Sequence, residues 1–120
     1  MCGIAGYISL HNQFSTAQLK AAATTLQHRG PDAEGIYVSR DEKIAFAHRR
    51  LSILDLSSAA NQPMMSADGR YWIVFNGEVY NYNELKQQLK DKGASIKTSC
   101  DTEVIQPASH CTIFTPWIYS

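Results

Sequence analysis

Apolar positions along this chain switch between a period of two and a period near 3.6, and the switches divide it into strands broken by two helices. Gly3 to Leu10 reads as the first strand. Ser15-Thr16-Ala17-Gln18 has the form of a capping box, with Phe14 and Leu19 placed as a hydrophobic staple. Leu19, Ala22, Ala23 and Leu26 then recur at helical spacing, and Arg29-Gly30-Pro31-Asp32 predicts a helix stop near Gln27. Ile36–Ser39 and Ile44–Arg49 read as a hairpin around the polar turn Arg40-Asp41-Glu42, with Ile44, Phe46 and His48 on one face. Residues 55 to 63 are polar and loop-like. Ala67-Asp68-Gly69 signals a turn into a buried strand from Tyr71 to Phe75. Asn81-Tyr82-Asn83-Glu84 can cap a helix carrying Leu85 and Leu89. Gly93 would end it before a short strand from Ala94 to Thr98.

The end of the chain breaks this pattern. Every lysine, arginine, aspartate and glutamate lies within the first 103 residues. Asp101-Thr102-Glu103-Val104-Ile105 starts like a helix, with acidic groups favouring its N-terminus, and Pro107 should interrupt it within about two turns. Ala108 to Ser120, with Phe114, Trp117 and Tyr119, has neither period. Residues 106–120 are therefore expected to form an irregular tail, and an out-of-frame or truncated end is the sharper reading of the same stretch.

Composition narrows the classes of partner. At 120 residues the chain suits one domain with a real core. Eleven basic residues balance eleven acidic ones, so no net field favours nucleic acid or anionic lipid, and a small-molecule partner is expected. No apolar run approaches a membrane span or a secretory leader, which makes a cytoplasmic location the default expectation. Cys2, Cys100 and Cys111 are an odd, widely spaced set, suggesting neither a disulfide framework nor a zinc site.

Four places carry candidate chemistry. Removal of Met1 would leave Cys2 with a thiol and a free α-amine on one residue, so that nucleophile and base share a backbone; the plain alternative is a small apolar residue opening a strand. Strand alternation puts Arg49 and Arg50 on opposite faces, and one guanidinium can turn inward to clasp a carboxylate; the plain alternative is a solvent-exposed arginine at a strand end. An amide and a glycine N–H converge in Asn76-Gly77 as they would in an oxyanion hole, or form an ordinary Asn-Gly turn. Asp101 can meet an ammonium group or cap the helix that follows.

Read in order, Cys2-Gly3-Ile4-Ala5-Gly6-Tyr7, His28-Arg29-Gly30-Pro31-Asp32, His48-Arg49-Arg50-Leu51-Ser52-Ile53 and Asn76-Gly77-Glu78-Val79-Tyr80-Asn81 resemble the class II glutamine amidotransferases. Within them, Pro31-Asp32 and Arg50-Leu51-Ser52-Ile53 look like the glutamine-hydrolysing asparagine synthetases. The resemblance covers residues 1–105 as a partial glutamine amidotransferase domain. It implies an α+β fold, the αββα sandwich of the N-terminal nucleophile hydrolases, here incomplete at the C-terminus. It implies that Cys2 attacks the glutamine carboxamide and that Asn76 and Gly77 hold the oxyanion. Arg50 would bind the substrate α-carboxylate, and Glu78 with Asp101 the α-ammonium. His28 and His48 are then structural, no metal or cofactor belongs to this chain, and ATP with magnesium would belong to a synthetase domain that it lacks. Glutamine is the implied substrate and a synthetase domain or subunit the implied partner, with a homodimer as one assembly. The alternative is a non-catalytic truncated fragment without a finished pocket.

Overall fold

The first helix forms where its cap dictates. Ser15 has extended backbone angles, its Oγ accepts the Gln18 N–H at 3.3 Å, and Gln18 Oε1 accepts the Ser15 N–H at 2.9 Å. This reciprocal pair starts α1 (Thr16–Thr25) as the capping box predicts. Phe14 stacks on Tyr7, with ring centroids 5.8 Å apart. The computed structural model describes residues 1–11, 13–53, 56–109 and 118–119, with side chains through Pro107. The chain falls into two compact units.

The first unit comprises Met1–Ile53, Asn61–Pro63 and Val74–Asn76. Its sheet holds β1 (Gly3–Ile8), β2 (Ala33–Val38) and β3 (Ile44–Arg50), antiparallel throughout in the order β1-β3-β2. Register puts Gly3, Arg49 and Glu34 in one row, Ala5, Ala47 and Ile36 in the next, and Tyr7, Ala45 and Val38 in the third. These rows share the face that α1 covers. The core there is Leu19, Ala23, Ala45 and Ala47, with Ala5, Tyr7, Ile36 and Val38 packed around it. Alanines on sheet and helix alike let α1 sit close to the strands, and Leu19 fills the space between. Arg49 closes the end of this layer: its Nε donates to the Ala23 carbonyl at 3.0 Å and its Nη2 pairs with Glu34. A cation thereby adds a second donor to a last-turn carbonyl of α1 that already accepts the Leu26 N–H.

The opposite face carries Ile4, Gly6 and Ile8 from β1, Ile44, Phe46, His48 and Arg50 from β3, and Gly35 and Tyr37 from β2. Ile44, Phe46 and His48 share a face as the alternation predicts, yet the helix-covered core is built by their smaller neighbours. Ile4, Ile8 and Ile44 are exposed, whereas His48 and Arg50 are buried.

The second unit comprises residues 54–60, Met64–Ile73 and residues 77–120. It contains the hairpin β4 (Met64–Met65) with β5 (Trp72–Ile73), the pair β6 (Glu78–Val79) with β7 (Ile118–Tyr119), and the helices α2 (Tyr82–Asp91) and α3 (Thr102–Ser109). Ser66 and Asp68 organise the hairpin turn. Ser66 Oγ donates to Asp68 Oδ1 at 2.6 Å and accepts the Tyr71 N–H at 3.0 Å. Leu85 and Leu89 of α2 and Val104 of α3 are buried, and the two helices pack on each other. None of the described helices is long and apolar enough to cross a membrane.

Five expectations change here. Asn81 occupies the N-cap of α2 with φ −92° and ψ 27°, outside the extended region that aims a side chain back at the first turn, so it forms no cap. Glu84 accepts instead from Gln88 Nε2, one turn on. No strand forms over 94–98, because the N–H groups of Lys97 and Thr98 are taken by the Glu103 carboxylate at 2.9 and 2.7 Å. Burial pushes that carboxyl up, but those two bonds and one from the Thr98 hydroxyl outweigh it and hold it below the usual value. The strand expected over Tyr71–Phe75 shrinks to Trp72–Ile73. Helix α3 runs through Pro107 to Ser109, since proline there removes only the one bond to the Glu103 carbonyl. In the stretch expected to be irregular, β7 pairs with β6; residues 110–117, which include Cys111, Phe114 and Trp117, lie outside the described residues.

Candidate functional site

One end of the first unit's sheet holds Cys2 and Arg50. Cys2 precedes β1, and the Gly3–Arg49 pairing brings it beside the strand end at Arg50 and Leu51. The Leu51 N–H donates to Cys2 Sγ at 3.4 Å, and the thiol faces the Leu51 carbonyl at 3.9 Å. Cys2 is half-buried, whereas Met1 is 75% exposed, so the described residues leave open the residue whose removal would free the Cys2 amine.

The strand end is tied down from the Gly30-Pro31-Asp32 loop. The Asp32 N–H donates to the Arg50 carbonyl at 3.0 Å, and Asp32 Oδ2 accepts the Ser52 N–H at 2.7 Å. Gly30 lies so close to the strand that a Cβ there would overlap the Arg49 carbonyl. The loop thus fixes the backbone of residues 50–52, which is the backbone that meets the sulfur.

Arg49 and Arg50 do part to opposite faces. Arg50 is 8% exposed and its Nη1 donates to Asn61 Oδ1 at 2.8 Å. A held, buried guanidinium is a planar donor suited to a carboxylate. His48, two residues earlier on the same face, is 1% exposed. Its Nε2 lies 3.3 Å from the Phe75 carbonyl, which can only accept, so Nε2 carries the proton. Nδ1 has no hydrogen-bond partner among the described residues. Burial, then the charge of Arg50, hold the imidazole below its ordinary pKa against the upward pull of the Phe75 bond. His48 is therefore a neutral donor. His28 is exposed and its Nδ1 lies 2.9 Å from the Thr25 carbonyl at the end of α1.

Asn76 directly follows Phe75 and is half-buried in the same unit. Gly77, Glu78 and Asp101 belong to the second unit, where Gly77 and Glu78 are exposed. Asp101 is buried, and its Oδ2 accepts the Val79 N–H at 2.9 Å, which ties the start of α3 to β6 beside Glu78. Of the six residues singled out, the first unit thus holds Cys2, Arg50 and Asn76, and the second holds Gly77, Glu78 and Asp101.

Two residues with a place in this arrangement carried no sequence signal beyond sitting before a proline in a polar loop. Asn61 holds Arg50. Gln62 Oε1 accepts the Phe75 N–H at 2.6 Å, and its backbone lies so close to the sheet that only a residue without a Cβ fits at Gly35. Among the described residues no group of three or more His, Cys, Asp or Glu is placed to hold a metal ion.

Comparison with known proteins bears on this constellation. Residues 1–111 match the family described as a glutamine amidotransferase domain. Two curated relatives from Bacillus subtilis, asparagine synthetases [glutamine-hydrolyzing] 1 and 2, are 42% and 45% identical over 109 residues. Both alignments cover 88% of this chain, and 17% and 14% of the relatives. A Gibberella zeae protein named amidase chry2 is 35% identical over 117 residues, with 88% of this chain and 17% of that protein covered. The chain thus spans less than a fifth of the length of each of these three relatives.

Proposed function

Since the chain belongs to the glutamine amidotransferase domain family, we propose that it hydrolyses glutamine to glutamate and ammonia, with Cys2 as the nucleophile. The observation that carries the reading is the setting of Cys2. Its sulfur lies against the Leu51 backbone, one residue from a buried guanidinium that is held in place by Asn61.

The reaction follows from these groups. Once Met1 is removed, the Cys2 α-amine takes the thiol proton, directly or through water, and the sulfur attacks the side-chain carbonyl carbon of glutamine. The Asn76 side-chain amide and the Gly77 N–H stabilise the resulting oxyanion. Collapse breaks the carbon–nitrogen bond, the α-ammonium returns its proton to the departing ammonia, and a γ-glutamyl thioester remains. Water then releases glutamate and the thiol. Arg50 holds the substrate α-carboxylate, while Glu78 and Asp101 meet its α-ammonium. These roles need no metal or cofactor from this chain.

The finer fold and the fate of the ammonia belong to the same proposal. One face of the first unit's sheet is covered by α1 and the other shows Ile4, Ile8 and Ile44, which suits a sheet that takes a second sheet against it, as in an αββα sandwich. In the asparagine synthetase reading, the ammonia passes to aspartate at an ATP-using synthetase domain or subunit.

The test is direct. The chain with its amino terminus processed should release glutamate and ammonia from glutamine in equal amounts, and Cys2→Ala should abolish both. Release that survives Cys2→Ala, or no release from the processed chain, would overturn the reading.

A further inference from the structure

We propose that Gln62 is a positioning residue for the oxyanion-binding end of the chain, acting through the backbone of Phe75. This rests on the reading of Asn76 given above and adds a residue to which no role has been assigned. Phe75 is gripped on both of its backbone polar groups. Gln62 Oε1 accepts its N–H at 2.6 Å, and His48 Nε2 donates to its carbonyl at 3.3 Å. Both gripping side chains are buried, at 7% and 1% exposure, and neither belongs to the neighbouring strand β5, which ends at Ile73. The backbone entering Asn76 is thus fixed by side chains where a sheet ladder would otherwise hold it.

Gln62 is itself fixed from below. Its backbone packs on Gly35, the one residue of that β2 row without a Cβ, and the row runs from Gly35 through His48 to Ile4. His48 and Gln62 therefore stand on the same patch of sheet and close on Phe75 from there. Asn61, the preceding residue, holds Arg50. One dipeptide, Asn61-Gln62, accordingly serves two ends of the substrate: the first amide positions the group that meets the α-carboxylate, and the second positions the group that meets the developing oxyanion. These two jobs have different kinetic signatures. An oxyanion donor acts only in the transition state, whereas a carboxylate clamp acts in the ground state as well.

The experiment compares Gln62→Met, which keeps length and removes the acceptor, with Gln62→Glu, which keeps an acceptor oxygen at the same reach. Gln62→Met should lower kcat for glutamine by about 100-fold, the scale expected when a catalytic group is misplaced by about an ångström, with KM little changed. Gln62→Glu should restore most of the rate. Amide hydrogen exchange supplies a readout independent of turnover: the Phe75 amide should be protected in the wild type and in Gln62→Glu, and should exchange freely in Gln62→Met. An active wild type whose Gln62→Met variant keeps kcat, or loses it equally in Gln62→Glu, overturns this inference alone. A processed wild type that does not hydrolyse glutamine overturns the functional reading instead. An unprotected Phe75 amide in the wild type overturns the clamp whatever the activity.

Discussion

Asn61→Ala isolates the substrate-clamping half of the site. The substitution removes the Oδ1 that accepts from Arg50 Nη1 at 2.8 Å and leaves the guanidinium, 8% exposed, without that anchor. A hydrogen bond to a charged group is worth about 1.5–3 kcal/mol, which corresponds to roughly 10- to 150-fold in an equilibrium constant. Arg50 can still reach a ligand after losing this one partner, so the low end, about tenfold, is the expected rise in KM for glutamine. The α-carboxylate is held alike before and during bond breaking, so kcat should stay near the wild-type value. Steady-state release of glutamate across a range of glutamine concentrations measures both constants, and a urea denaturation curve shows whether the variant folds. A folded variant with unchanged KM, or one in which kcat falls at constant KM, would refute the assignment of Arg50.

Other perturbations separate the remaining parts. Asn76→Ala should lower glutamine turnover by about 100-fold or more, read as kcat in the same assay, if its amide holds the oxyanion. Gly35→Ala places a Cβ against the Gln62 carbonyl, so the backbone must shift; the overpacking should cost about 1–3 kcal/mol, measured as a lower urea midpoint. His48 is held below its ordinary pKa by burial and by Arg50, so the unfolded chain binds a proton that the folded chain refuses. Stability should therefore be full above about pH 6.5, the unfolded imidazole value, and fall as the pH drops from there toward the folded value; His48→Gln should flatten that part of the profile in denaturation series at several pH values.

Much of the first unit is legible in the sequence because its determinants are local. Ser15 and Gln18 are three residues apart and cap α1 as read. The parting of Arg49 from Arg50 follows from strand alternation alone, and the structure sends Arg49 to α1 and Arg50 to Asn61. What stayed hidden depends on contacts between distant segments. Phe75 looks like strand by composition, but its N–H goes to Gln62 and its carbonyl to His48, which ends β5 early. Lys97 and Thr98 likewise spend their N–H groups on Glu103. Pro107 shows the limit of a breaker rule in a short helix, where a single lost bond does not stop α3. At the site, residue type left each candidate with a plain alternative and the motifs of the family resemblance singled out Cys2, Arg50 and Asn76, whereas Asn61 and Gln62 had no period or motif to mark them. Their role emerges only where the loop lies down on Gly35.

The central claim is that an amino-terminal cysteine, freed of Met1, is the nucleophile. Intact-mass and peptide mapping after treatment with a glutamine-mimicking electrophile test it most directly, with the processed chain compared against a form that retains Met1. The account predicts a single adduct on Cys2 in the processed chain, blocked by glutamine and absent when Met1 remains. Equal labelling of both forms, or indiscriminate modification of Cys2, Cys100 and Cys111 that glutamine does not prevent, would contradict it.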